Sequence, residues 1–226
     1  MKLNKGFTLA EVLVTIAIIG VISAIVLPIM KDVTPNREQV MLKKAYYLVS
    51  RNVNEMINDE DLYPERDNEN LSGFSNVDIH DQTADGRQAR FHGQEYSGNS
   101  KFCNIMAARM NVKGNVVCNA ARTLAQGGNF TTADGIIWSV PVNNFNRGGA
   151  NVNQTIQVDV NGISGKNCFE GAANCRIPDR FTIFVDRYGK LTVPANGIEQ
   201  EYLTRTKTNK SYGRIRDEMA RGLRTD

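Results

Sequence analysis

Nineteen consecutive residues, Val12 to Met30, carry no charge, and they stand near the start of a chain otherwise rich in Asn, Gly and Arg. No other feature restricts the fold as much. At a rise of about 1.5 Å per residue, a helix of this length matches the hydrocarbon thickness of a bilayer. Lys2 and Lys5 precede the run, so the positive-inside rule puts the N-terminus in the cytoplasm and everything after Lys31 outside. One residue is out of place. Glu11 lies inside the apolar stretch that begins at Phe7, and a charged side chain in a spanning segment costs several kcal/mol, so it calls for a partner or a task.

A secretory signal peptide is the first alternative. The stretch is too long for a signal-peptide core, and Pro28, Ile29, Met30, Lys31 and Asp32 stand where a small-x-small cleavage site would follow. Removal at that point is not expected. The remainder has the means to fold: of 226 residues, 41% are hydrophobic and 23% charged, which suits one or two domains with a real core. Taking Lys2 and Lys5 from the 27 basic residues leaves 25 against 24 acidic ones, so no global field favours a polyanion, and nucleic acid is not an expected partner.

Four cysteines, Cys103, Cys118, Cys168 and Cys175, all follow the apolar run, and an even count behind a membrane-targeting N-terminus reads as two disulfides in an oxidising compartment. Pairing Cys103 with Cys118 and Cys168 with Cys175 closes two short local loops and is the expected connectivity. No C-x-x-C occurs and only His80 and His92 could assist, which argues against zinc.

The string Lys5-Gly6-Phe7-Thr8-Leu9-Ala10-Glu11 followed by an apolar run resembles the class III signal of type IV pilins and of the pseudopilins of type II secretion systems. That resemblance implies a membrane aspartyl peptidase that cuts after Gly6 and methylates the new N-terminus at Phe7, leaving Glu11 as the fifth mature residue. Ala10 stands where the family often has isoleucine, and Pro28 where its helices commonly carry proline. Gly6 lets an extended backbone enter a protease cleft. The freed Phe7 amine is positive, and the resemblance implies that Glu11 meets such an amine on a neighbouring subunit, a pairing much stronger in a low dielectric than in water. The bland alternative is that Glu11 snorkels to the headgroups of a plain anchor. Also implied are other pilin or pseudopilin subunits, an assembly platform membrane protein and an ATPase as partners. The location implied is the bacterial inner membrane, with the assembled filament in the periplasm or at the cell surface.

Beyond Lys31 the apolar residues Leu42, Ala45, Val49, Val53 and Met56 recur at three and four, with Arg37, Lys43, Lys44, Arg51 and Asn52 between them, which predicts an amphipathic helix to about Asn58. Pro28 and Pro35 predict a bend or break before it, with Thr34 as a fresh N-cap. Asp59 to Pro64 ends the helix. Residues 72–96 read as a loop with short strands, and residues 102–110 as a short helix inside the first disulfide loop. Gly135 to Val140, Thr155 to Val160 and Arg180 to Val185 read as antiparallel strands bounded by Asp-Gly, Asn-Gly and Tyr-Gly turns. Ile215, Met219 and Leu223 are spaced for one helical face in a charged tail. The expected fold is α+β: a long N-terminal helix, membrane-spanning then amphipathic, packed on a C-terminal antiparallel β-sheet head. Its divisions are a leader at 1–6, a transmembrane or filament-core helix at 7–30, an amphipathic half at 31–60 and the head at 61–226.

No catalytic constellation emerges. His80-Asp81 has no Gly-x-Ser-x-Gly elbow near it, and the thiols can all pair, so an enzyme is not expected. Asp159, Asn161 and Asp179 are oxygen donors in a region where some major pseudopilins hold calcium, an ion that takes six to eight oxygens. The same residues are ordinary turn formers, so no cofactor is expected and calcium is kept as a candidate. Trp138 reads as core. The basic residues Lys207, Lys210, Arg214, Arg216, Arg221 and Arg224 are diluted by Asp217, Glu218 and Asp226 and read as a solvated face. The expected function is a filament subunit; the alternative is a membrane-anchored binding module that does not polymerise.

Overall fold

The computed structural model describes residues 8–33, 36–64, 72–77, 89–143, 145–147, 150–151 and 153–204, with backbone alone at 25–33, 89, 146–147 and 150–151. The chain divides into two compact units, Met1–Arg37 and Glu38–Asp226.

In the first unit, helix α1 runs Leu9–Val33. The sequence predicted a bend or break at Pro28, yet the helix continues five residues past it. Proline removes one ladder hydrogen bond, but its locked φ is itself helical, so the remainder of a long ladder can carry it. Leu9, Leu13, Ile16, Ile19 and Val21 are more than half exposed, so this helix has found no apolar cover within its own chain. Among the described residues no helix is long and apolar enough to cross a membrane. Side chains of α1 are described only as far as Ala24, and the uncharged run to Met30 is a statement about the sequence.

The second unit begins with α2 at Arg37–Ile57. Thr34 and Pro35 lie outside the described residues; Asn36, a favoured N-cap type, directly precedes the helix. Leu42, Ala45, Val49, Val53 and Met56 are each at most 1% exposed, as the periodicity required. Asn52, placed among the polar positions by sequence, is buried as well. It follows Val49 by three residues and adjoins Val53, which sets it on the margin of the inner stripe. After α2 the Asp59 carbonyl accepts the Leu62 and Tyr63 amides at 2.9 and 2.8 Å, turning both side chains into the core.

A hairpin of β1 (Ala89–Phe91) and β2 (Gln94–Tyr96) follows, turning at His92 and Gly93 with φ of 50° and 80°, the positive pair that a tight hairpin turn requires. Helix α3 is Lys101–Ala108. The main sheet then forms from β3 (Val112–Lys113), β4 (Phe130–Thr132), β5 (Ile137–Ser139), β8 (Gln154–Asp159), β9 (Arg180–Val185) and β10 (Leu191–Thr192), all antiparallel, in the order β10-β9-β8-β5-β4-β3. Between β5 and β8 the chain makes a separate two-stranded ribbon, β6 (Asn146–Arg147) with β7 (Ala150–Asn151). The three strands expected from sequence are thus the sheet's centre, and the short outer strands were not foreseen.

Period-two patterning sets the sheet's inner face. Phe181, Ile183 and Val185 of β9 and Ile156 and Val158 of β8 are buried, and Trp138 on β5 pairs with Val158. This face joins the α2 stripe in one core. At one end Tyr63, Phe74, Phe102 and Phe145 form an aromatic cluster with centroid separations of 4.9 to 5.3 Å. Gly73, at φ 59°, feeds Phe74 into it. A Cβ there would overlap the Arg187 carbonyl oxygen, which accepts the Phe74 amide at 2.8 Å. Arg109 fastens α3 to α2 through Glu55 (2.9 Å) and Asp59 (3.2 Å), and Lys44 ties α2 to the β4–β5 turn through Asp134 (2.8 Å). The chain described ends with α4, Ile198–Thr204; the tail positions Ile215, Met219 and Leu223 lie outside the described residues.

Candidate functional site

Three places carry the residues singled out by sequence: the start of α1, the β8–β9 loop, and the histidines. At the first, Thr8 precedes α1, and its amide and hydroxyl both donate to Glu11 Oε2, at 2.8 and 2.9 Å. The Glu11 amide returns a bond to Thr8 Oγ1 at 3.3 Å. This is a capping box, the reciprocal arrangement that satisfies two amides left over at a helix start. The sequence reading took Glu11 as a foreign charge and missed the cap. Its signal was present, since Thr8-x-x-Glu11 ahead of an apolar run is the capping-box pattern. Both donors use Oε2, and among the described residues Oε1 takes none, so one carboxylate oxygen is held for the helix and the other faces outward. Gly6 and Phe7 lie outside the described residues.

The β8–β9 loop draws Asp159, Asn161 and Asp179 together. Asp179 Oδ2 accepts Asn161 Nδ2 at 3.1 Å and the Asn167 amide at 2.9 Å, while Oδ1 accepts the Cys168 amide at 2.7 Å. Asp159 Oδ2 accepts Arg180 Nε at 2.8 Å. Left over are Asp159 Oδ1, Asn161 Oδ1 and Asn167 Oδ1, buried and without donors. Orphaned oxygens of this kind cost about 1–3 kcal/mol each. Burial, against the opposing pull of Arg180 and with a further push from Asp179, holds the Asp159 carboxyl above its usual range. A neighbouring cation would relieve it. These hard, buried oxygens suit a calcium-type ion in kind, although the described residues include no group of three His, Cys, Asp or Glu arranged for a metal. Asn167 was not among the sequence candidates; it stands eight residues from Asp159 and only folding brings it in.

Cys168 and Cys175 are joined, with Cα atoms 5.9 Å apart, and staple the same loop. Cys103 and Cys118 are joined at 5.6 Å and hold α3 to the strand that follows. Among the described residues no cysteine is free. His92 is exposed at the hairpin turn with its ring stacked 4.0 Å from that of Phe91, and His80 lies outside the described residues.

Residues 1–27 match the family model of the prokaryotic N-terminal methylation motif, the type IV pilin-like cleavage and methylation signal. The motif indicates a pilin- or pseudopilin-like precursor, membrane-anchored, and implies processing by a prepilin peptidase and assembly with pilin-type subunits. It points to a structural subunit rather than an enzyme. No curated protein and no solved structure matches the chain.

Proposed function

We propose that this chain is a structural subunit of a type IV pilus-like or type II secretion filament. It is cut after Gly6, methylated at Phe7, and held in the inner membrane as a single span with its head outside until assembly. One observation carries the reading: α1 is apolar and uncovered by its own chain, and its only early charge, Glu11, stands beside the processing motif with one oxygen turned outward. Large apolar side chains gain about 1.5–3 kcal/mol each on leaving water. Copies therefore gain by packing their α1 helices together, and a head-to-tail contact that does not close builds a fibre. An assembly ATPase and a platform membrane protein are the machinery this mechanism needs. The deciding experiment is mass spectrometry of the chain's N-terminus from its native cell. A chain that starts at a methylated Phe7 supports the filament; one that keeps Met1 to Gly6 supports the anchored, non-polymerising module instead.

The donor-less oxygens of the β8–β9 loop favour a second element of the proposal: a structural calcium ion held by Asp159 and Asn161 with Asp179 and Asn167. An ion binding only the folded state stabilises it by about 2.7 kcal/mol at a hundredfold excess over its Kd. Calcium should raise the melting temperature relative to chelator, and Asp159→Asn should remove the increment. An identical melting temperature in calcium and chelator would leave the loop as a self-contained turn.

A further inference from the structure

Lys101 opens α3, yet its side chain is fully buried. Nζ donates to the main-chain oxygen of Asn76 at 2.8 Å and lies 4.0 Å from the Tyr63 ring centroid. Asn76 is 1% exposed; its Oδ1 has no donor, and its Nδ2 reaches the Pro64 oxygen only at 3.5 Å. Tyr63 Oη and Ser75 Oγ are buried without partners in the same region. Phe74 and Phe102 continue the aromatic wall around them. A primary amine is therefore packed against a residue whose carboxamide is under-bonded, in an interior closed to water.

We propose that Lys101 and Asn76 become joined by a side-chain amide bond once the chain has folded. Neutral Nζ attacks Cγ of Asn76, the Nζ–Cγ bond forms, and the Cγ–Nδ2 bond breaks. A proton from Nζ passes to Nδ2, which leaves as ammonia. Nothing is oxidised or reduced, and no further reactant is consumed. Three physical effects favour this outcome. Removing an ammonium from water is costly, so burial brings the nucleophilic neutral amine within reach. The product amide is uncharged and takes the cation out of the interior altogether. An amine and an amide that ignore each other in solution gain effective molarities of about 10^5 to 10^8 M when a fold holds them in place. Tyr63 Oη, kept protonated by burial, supplies a hydroxyl for the oxygen that gains negative charge during the attack. The bond ties the segment before β1 to the start of α3, two residues from Cys103, so α3 is anchored covalently on both sides in a head that must survive extraction by a machine.

The test is the intact mass of the full chain purified in detergent, with disulfides reduced, followed by tryptic mapping. The chain should be lighter than its sequence by one ammonia. Trypsin should fail to cut after Lys101, and a branched peptide should link Asn76 to Lys101. Asn76→Asp should make the same branched peptide with loss of water, and Asn76→Ala should restore normal cleavage at Lys101. The sequence mass with free cleavage at Lys101 would overturn the proposal. So would a lighter chain without the branched peptide. Neither result bears on processing at Gly6, which the N-terminal mass decides separately.

Discussion

Glu11→Ala should cut filament yield at least tenfold while leaving the head folded, whereas Glu11→Gln separates the two jobs the side chain holds. Glutamine also fits the third helical position of a capping box, so it keeps the bonds to Thr8 and removes only the charge. Loss of the cap costs about 0.5–2 kcal/mol, spent on one helix end that packing in a filament would order in any case. Loss of the charge acts at every contact between subunits: a pair of unit charges about 4 Å apart at an effective dielectric near 20 attracts by about 4 kcal/mol before desolvation. A net deficit of about 1.4 kcal/mol is a tenfold weaker association. The charge term should therefore dominate, and both variants should fail alike when sheared filaments are quantified against total chain. If Glu11→Gln assembles at wild-type yield, the outward oxygen meets no amine and the carboxylate is only a cap.

Phe74→Ala should destabilise the head by about 3–5 kcal/mol, the range for emptying an aromatic site in a rigid core. Phe74 is fully buried and contacts Tyr63, Phe102 and Phe145 with ring centroids 4.9, 4.9 and 5.3 Å away. These four residues come from four separate stretches of chain, so the vacancy cannot be filled by shifting one element. Phe184, on the outer face of β9 and half-buried, is the control, and its alanine variant should cost less than about 1.5 kcal/mol. The chain's one tryptophan, Trp138, is fully buried, so its fluorescence during urea titration reports unfolding of this core directly. Equal midpoints for the two variants would mean that the aromatic cluster does not hold the head together.

The same elements show what can be read before folding is known. The α2 stripe Leu42, Ala45, Val49, Val53, Met56 was legible because a helix that buries one face must repeat near 3.6 residues, and the central strands because alternate residues of a strand face opposite ways. The two-residue strands β3 and β10 were not legible. Two residues carry no period, and the neighbour across the ladder creates the strand. Pro28 misled for a related reason: its local preference is real, but a ladder of 25 residues outweighs it.

The amino-acid order by itself determined the parts whose cause is local: the uncharged run, the Gly6-Phe7 processing string with Glu11 at its fixed offset, the amphipathic stripe, and cysteines spaced to close short loops. Only the tertiary structure decided which distant groups meet. β8 passes over the β6–β7 ribbon to pair with β5, Asn167 joins Asp179, and Lys101 is drawn to Asn76 across 25 positions. Periodicity is written in neighbours along the chain. A contact between remote residues depends instead on how the whole core closes, which no local pattern records.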